Sequence, residues 1–144
     1  MKPNICIVKA NYYPDISAML FEGVTKELKI KSITPLAVPG IFEIPVVIAK
    51  NINSYDGFVA LGCVIKGETP HFEIISKATI NAIMDLSVKF KKPIGNGIIT
   101  CLNKKQALER ADPTKRNKGG EAARATLSVL GILKDETKWS SSKS

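Results

Sequence analysis

The chain has 144 residues, 44% of them hydrophobic and 24% charged, with a formal net charge of +8. That length fits one domain around a single core, and the balance of apolar and charged residues excludes wholesale disorder. No apolar run approaches the roughly 18 residues of a membrane span, and the N-terminus lacks the longer apolar stretch and small-residue cleavage site of a secretory leader. A cytoplasmic protein with no membrane partner is expected.

Ile5 to Ala10 is a short β-branched run and reads as a first strand, broken by Asn11-Tyr12-Tyr13-Pro14. Asp15 is placed to cap a helix from Ile16, with Leu20, Val24 and Leu28 forming its apolar stripe. Ile33 to Val38 is a second strand. Pro39-Gly40 ends it, and a short helix from about Glu43 to Asn51 follows, with Pro45 in its first turn. Phe58 to Ile65 is apolar throughout, as in a central parallel strand buried on both faces.

After the break at Gly67-Glu68-Thr69-Pro70 a long helix runs from about His71 to Lys89. Its apolar face holds Phe72, Ile75, Ala78, Ala82, Ile83 and Leu86, with Thr79 as the polar member. Pro93 to Thr100 is a fourth strand, and two helices follow, near 104–111 and 117–133. Residues 1–134 form one domain; 135–144 are a polar, Ser-rich tail expected to be flexible. The order βαβαβαβαα implies a three-layer sandwich, a four-stranded parallel sheet flanked by helices. In such sheets ligands bind beyond the carboxyl ends of the strands. That rule selects Asn11–Tyr13, Pro39–Glu43, Lys66–His71 and the segment after Thr100.

The residue inventory narrows the chemistry. Three cysteines without CxxC spacing disfavour a disulfide framework or zinc site, and Cys6 and Cys63, inside apolar runs, read as buried thiols. With His71 the lone histidine and no clustered carboxylates, no metal site is expected. The +8 charge favours anionic partners. Nucleic acid is disfavoured, because aromatics are only 6% and do not alternate with the basic groups. Gly62 and Gly67 have P-loop spacing, but Glu68 stands where the loop needs Lys.

What remains is a set of residues at the predicted ligand edge. The segment from Gly67 to His71 should collect free backbone N–H groups at a helix start, an anion site, with His71 able to move protons near neutral pH. Glu43 can accept hydrogen bonds from a polar ligand, and Tyr12 can stack on a flat ring. Arg110, near a helix end, can take phosphate by a forked pair of bonds. Each residue alone is equally what an ordinary loop or solvated helix carries.

Three stretches resemble one family: VPGIFEIPVV (Val38–Val47), DGFVALGCVIKGETPHFE (Asp56–Glu73), and QALERA (Gln106–Ala111) with NKGGEAA (Asn117–Ala123). They are similar to the signature segments of 6,7-dimethyl-8-ribityllumazine synthases, in the same order and spacing over nearly the whole chain. The resemblance implies a flavodoxin-like fold and a transferase of riboflavin biosynthesis. Such an enzyme condenses 5-amino-6-(D-ribitylamino)uracil with 3,4-dihydroxy-2-butanone 4-phosphate, without metal or organic cofactor. A non-catalytic ligand-binding or shell-assembly protein on the same fold is the alternative.

By motif position, the resemblance assigns ring stacking to Tyr12 and the ribityl chain to Ile41, Phe42 and Glu43. It assigns the uracil to Cys63, Val64 and Ile65, phosphate to Glu68, Thr69 and Arg110, and proton transfer to His71. It further implies a homopentamer or assembly of pentamers, with riboflavin synthase as a partner. Sites would lie between subunits, Asn96 and Arg110 coming from the neighbour. Tyr12 stands where Phe is usual, Asn11 where Arg is frequent, Lys66 where Arg is common, and Asn96 where some members carry an aromatic.

Overall fold

A computed structural model describes residues 3–28, 32–68 and 70–134; Thr69 and the 135–144 tail lie outside them. Four strands form one parallel sheet in the order β2-β1-β3-β4: β1 Asn4–Ala10, β2 Ser32–Val38, β3 Gly57–Ile65 and β4 Ile94–Cys101. The helices are α1 Pro14–Glu27, α2 Ile44–Asn51, α3 Phe72–Phe90, α4 Lys104–Ala111 and α5 Lys118–Lys134, and a single 3-10 turn at Ile41–Glu43 precedes α2. This is the expected α/β sandwich. No helix among the described residues is long and apolar enough to cross a membrane.

The two-residue period of the strands divides the core. Ile5, Ile7, Val59, Leu61, Cys63, Ile65, Ile99 and Cys101 face α1, α4 and α5. Cys6, Val8, Ala10, Phe58, Ala60, Val64 and Ile98 face α2 and α3. β3 is buried at every position, because β1 and β4 flank it and helices cover both faces.

Close backbone approach sets the α5 layer. A Cβ at Gly95 would fall onto the Ala122 carbonyl oxygen, and one at Gly119 onto that of Leu20. Only glycine at these two positions lets α5 lie against β4 and α1. Thr126 adds a buried bond across the same layer, its hydroxyl donating to the Phe58 carbonyl at 2.9 Å.

Two helix starts differ from the sequence-based expectation. α1 begins at Pro14 rather than Ile16, since proline at the first helical position has no N–H to leave unpaired. Asp15 is therefore inside the first turn and is not the cap. Lys104 lies 3.0 Å from its carboxylate and is the main cause of its lowered pKa. α3 begins at Phe72, with His71 as a left-handed cap residue at φ 61°. Thr79, the polar member of the α3 stripe, is 2% exposed, and its hydroxyl has no partner among the described residues.

Candidate functional site

The sheet order turns at β1 and β3, which is where an open parallel sheet leaves a crevice beyond its carboxyl ends. Beyond β1, the Asn11 N–H donates to the Val38 carbonyl at 2.9 Å, tying the first loop to the end of β2. Asn11 also accepts from the Ser17 hydroxyl at 2.9 Å. Tyr12 is thereby set beside the turn after β2. Its ring is 57% exposed and packs edge-on against Tyr13, centroids 5.0 Å apart, which leaves area open for stacking.

That turn is pinned by Glu43, whose Oε1 accepts from the Gly40 N–H at 2.9 Å. Ile41 is buried and Phe42 is 65% exposed. Tyr12, Ile41, Phe42, Glu43, Cys63 and Val64 together line a cleft of about 320 Å³, closed on one side by Ile75 of α3. One wall is apolar, the rim is aromatic, and a carboxylate lies within it. Ile65, grouped with Cys63 and Val64 from the sequence, does not line this cleft; it is buried beneath it.

The turn between β3 and α3 forms a second, more open cavity of about 380 Å³, lined by Lys66, Gly67, His71 and the first residues of α3. The His71 carbonyl accepts the first bond of α3, from the Ile75 N–H at 2.9 Å. The N–H groups of Phe72, Glu73 and Ile74 have no partner among the described residues, so the positive end of a 19-residue helix opens here. Glu68 contributes less backbone than the sequence implies: its N–H is taken by the Ile65 carbonyl at 3.2 Å. Its Oε2 instead accepts from the Tyr13 hydroxyl at 3.1 Å, latching this turn to the loop after β1.

Asn96 and Arg110 lie elsewhere, in a third cavity of about 400 Å³ lined also by Thr100, Arg116, Lys118 and Glu121. Asn103 caps α4 by accepting from the Gln106 N–H at 2.9 Å, and Gln106 Oε1 accepts from the Leu102 N–H at 2.9 Å. Arg110 sits in the last turn of the helix so capped. Its Nη1 donates to the Thr100 carbonyl at 2.8 Å and to Cys101 Sγ at 3.7 Å. The Cys63 thiol first, and Arg110 second, hold the Cys101 pKa down to about 7. The Cys63 thiol is pushed upward by Cys101 first and by burial second.

These residues match the 6,7-dimethyl-8-ribityllumazine synthase family over 2–134. A Rhodopseudomonas palustris protein of that name, numbered 1, is 50% identical over 137 residues, covering 89% of this chain and 84% of the relative. The Bartonella tribocorum protein of that name is 47% identical, covering 92% and 91%, and the Agrobacterium fabrum one is 44% identical, covering 92% and 96%. The chain belongs to this family. The lumazine synthase frame thus spans all three cavities.

The sheet rule selects the segments that hold Tyr13 and Cys101 without giving either residue a role, and sequence reasoning assigns none to Arg116 or Lys118. Nothing in the spacing signals the contact of Cys101 with Arg110, which depends on how α4 packs on β4.

Proposed function

We propose that this protein is a 6,7-dimethyl-8-ribityllumazine synthase acting as a homo-oligomer of single-domain subunits. It joins 5-amino-6-(D-ribitylamino)uracil to 3,4-dihydroxy-2-butanone 4-phosphate and releases phosphate and water. The observation that carries the reading is the cleft at the turning point of the sheet: a stackable aromatic, a carboxylate and strand-end backbone, beside a helix start that carries the lone histidine.

The pyrimidine lies against Tyr12, with the backbone at Cys63 and Val64 reading its edge. The ribityl hydroxyls run along the turn from Ile41 to Glu43, whose carboxylate accepts from them. The phosphate lies at the start of α3, where the Phe72, Glu73 and Ile74 N–H groups meet the positive helix end. Glu68 and Thr69 belong to the same phosphate site. The 5-amino nitrogen attacks the ketone carbon, water leaves and an imine forms. Phosphate is then eliminated, and the second ring closes with loss of another water. His71 moves the protons, a contribution of about 100- to 10,000-fold. The larger share of the rate comes from holding two reactants in register.

Asn96 and Arg110 serve the cleft of a neighbouring copy. Among the described residues, the cavity they line includes neither Tyr12 nor His71. α3 leaves Ile74, Met84 and Val88 exposed, apolar area fit to be covered by a second subunit. A pentamer, or a shell of pentamers, in the cytoplasm with riboflavin synthase as partner completes the reading.

The test is direct. Purified protein is mixed with the two substrates and the lumazine product is followed by absorbance and fluorescence. Product above the uncatalysed background is expected; none from folded, assembled protein would overturn the enzymatic reading and leave a binding or shell role.

A further inference from the structure

Arg110 is held to its own chain by one corner only. Both recorded bonds of its guanidinium use Nη1, to the Thr100 carbonyl and to Cys101 Sγ. Nε and Nη2 have no partner among the described residues. Their two N–H groups are parallel, the fork that matches two oxygens of one phosphate. The guanidinium lines the basic cavity with Arg116 and Lys118. The side of Arg110 left unpaired is therefore the one suited to an anion there.

The two acceptors differ in kind. The Thr100 carbonyl is fixed by the backbone of β4. Cys101 is the adjacent residue, 1% exposed, with its sulfur in the core layer under α4. A single acceptor would leave the guanidinium free to swing about that bond. The second acceptor fixes its orientation, and a group oriented before the ligand arrives loses less freedom on binding. The register Ile65↔Cys101 and Cys63↔Ile99 puts the Cys63 and Cys101 thiols on one face of the sheet.

We propose that Cys101 is a positioning residue for the phosphorylated substrate: by accepting from Nη1 it turns the Nε and Nη2 edge of Arg110 toward the basic cavity. The inference rests on the reading of Arg110 as a phosphate ligand for the neighbouring cleft.

The test is steady-state kinetics on the assembled protein, varying each substrate in turn, with Cys101→Val, Cys101→Ser, Arg110→Ala and the Arg110→Ala/Cys101→Val double variant. Valine fills the same space without an acceptor. It should raise KM for the phosphorylated substrate about three- to tenfold, the scale of the net contribution of one ordinary hydrogen bond, and leave kcat and KM for the pyrimidine nearly unchanged. Serine, which restores an acceptor, should bring KM back toward the parent. Arg110→Ala should raise it further, and Cys101→Val should add nothing on top. Unchanged phosphate KM in Cys101→Val, while Arg110→Ala raises it, overturns the role of Cys101 alone. So does a Cys101→Val effect that persists without Arg110, or one that falls equally on both substrates. An Arg110→Ala variant with parental KM removes the reading of Arg110 itself, and this inference with it.

Discussion

Two alanine substitutions in the same helix should move stability in opposite directions. Gly119 and Gly131 both lie in α5, but a Cβ at Gly119 would strike the Leu20 carbonyl, whereas one at Gly131 meets nothing within 4 Å. Each replacement gains about 0.8–1.0 kcal/mol of helix propensity. At Gly119 the obstruction is backbone, which cannot rotate away, so the overpacking cost belongs at the upper end of about 1–3 kcal/mol. The net is a loss of about 2 kcal/mol for Gly119→Ala against a gain of about 1 kcal/mol for Gly131→Ala. At roughly 4 °C per kcal/mol for a chain of this size, the melting temperatures should differ by about 12 °C. Thermal unfolding by circular dichroism, with both variants at one protein concentration because assembly adds to apparent stability, measures the gap. Gly119 adjoins Lys118, so the first variant should also weaken use of the phosphorylated substrate. A Gly119→Ala protein as stable as the parent would refute the argument that α1 and α5 meet by backbone contact.

Three further outcomes are expected. His71→Ala should lower kcat by about 100- to 10,000-fold without abolishing turnover, since the cleft still holds both reactants; complete loss, or no loss, in the product assay counts against proton transfer by this residue. Thr79→Val should stabilise the protein by about 1 kcal/mol in urea unfolding, because it removes a buried hydroxyl that lacks a partner while keeping the side-chain shape. Asp56 has its pKa lowered, first by the Asn4 N–H and then by Lys134, so it favours the folded state above its ordinary value of 3.8 and loses that contribution as pH falls through its lower folded value. Asp56→Asn should flatten the decline in stability below about pH 4, and an unchanged acid limb would show that the carboxylate is equally ionised in both states.

The elements most legible in the sequence are those whose signal is local. β3 shows itself as nine successive buried residues, and α4 is bounded by an asparagine cap and the proline that follows. The start of α1 lies two residues before the sequence-based expectation because a capping aspartate and a first-turn proline compete there, and the proline prevails. Among site residues, Tyr12 and the Ile41–Glu43 turn can be placed from the sheet rule alone, since each directly follows a strand. The basic cavity cannot. Asn96, Arg110 and Lys118 come from β4, α4 and α5, and they meet only because glycine at 95 and 119 lets α5 approach. That packing is not periodic, so no pattern in the chain announces it.

The separation of that basic cavity from the cleft leads to a decisive experiment on assembly. If each working site takes Tyr12 and His71 from one subunit and Arg110 from the next, a variant damaged at His71 and one damaged at Arg110 carry complementary lesions. Co-expression at equal amounts, with random arrangement around a closed ring, leaves about one interface in four with an intact cleft facing an intact arginine. Mixed oligomers of His71→Ala and Arg110→Ala, assayed at low phosphorylated substrate, should then show about a quarter of parental activity, well above either variant alone. The remaining interfaces carry one lesion or both. If Arg110 instead served the cleft of its own chain, every site in the mixture would hold one lesion, and activity would be only the average of the two variants. Recovery near a quarter, rather than any static view of one chain, distinguishes a site shared between copies from a site within one.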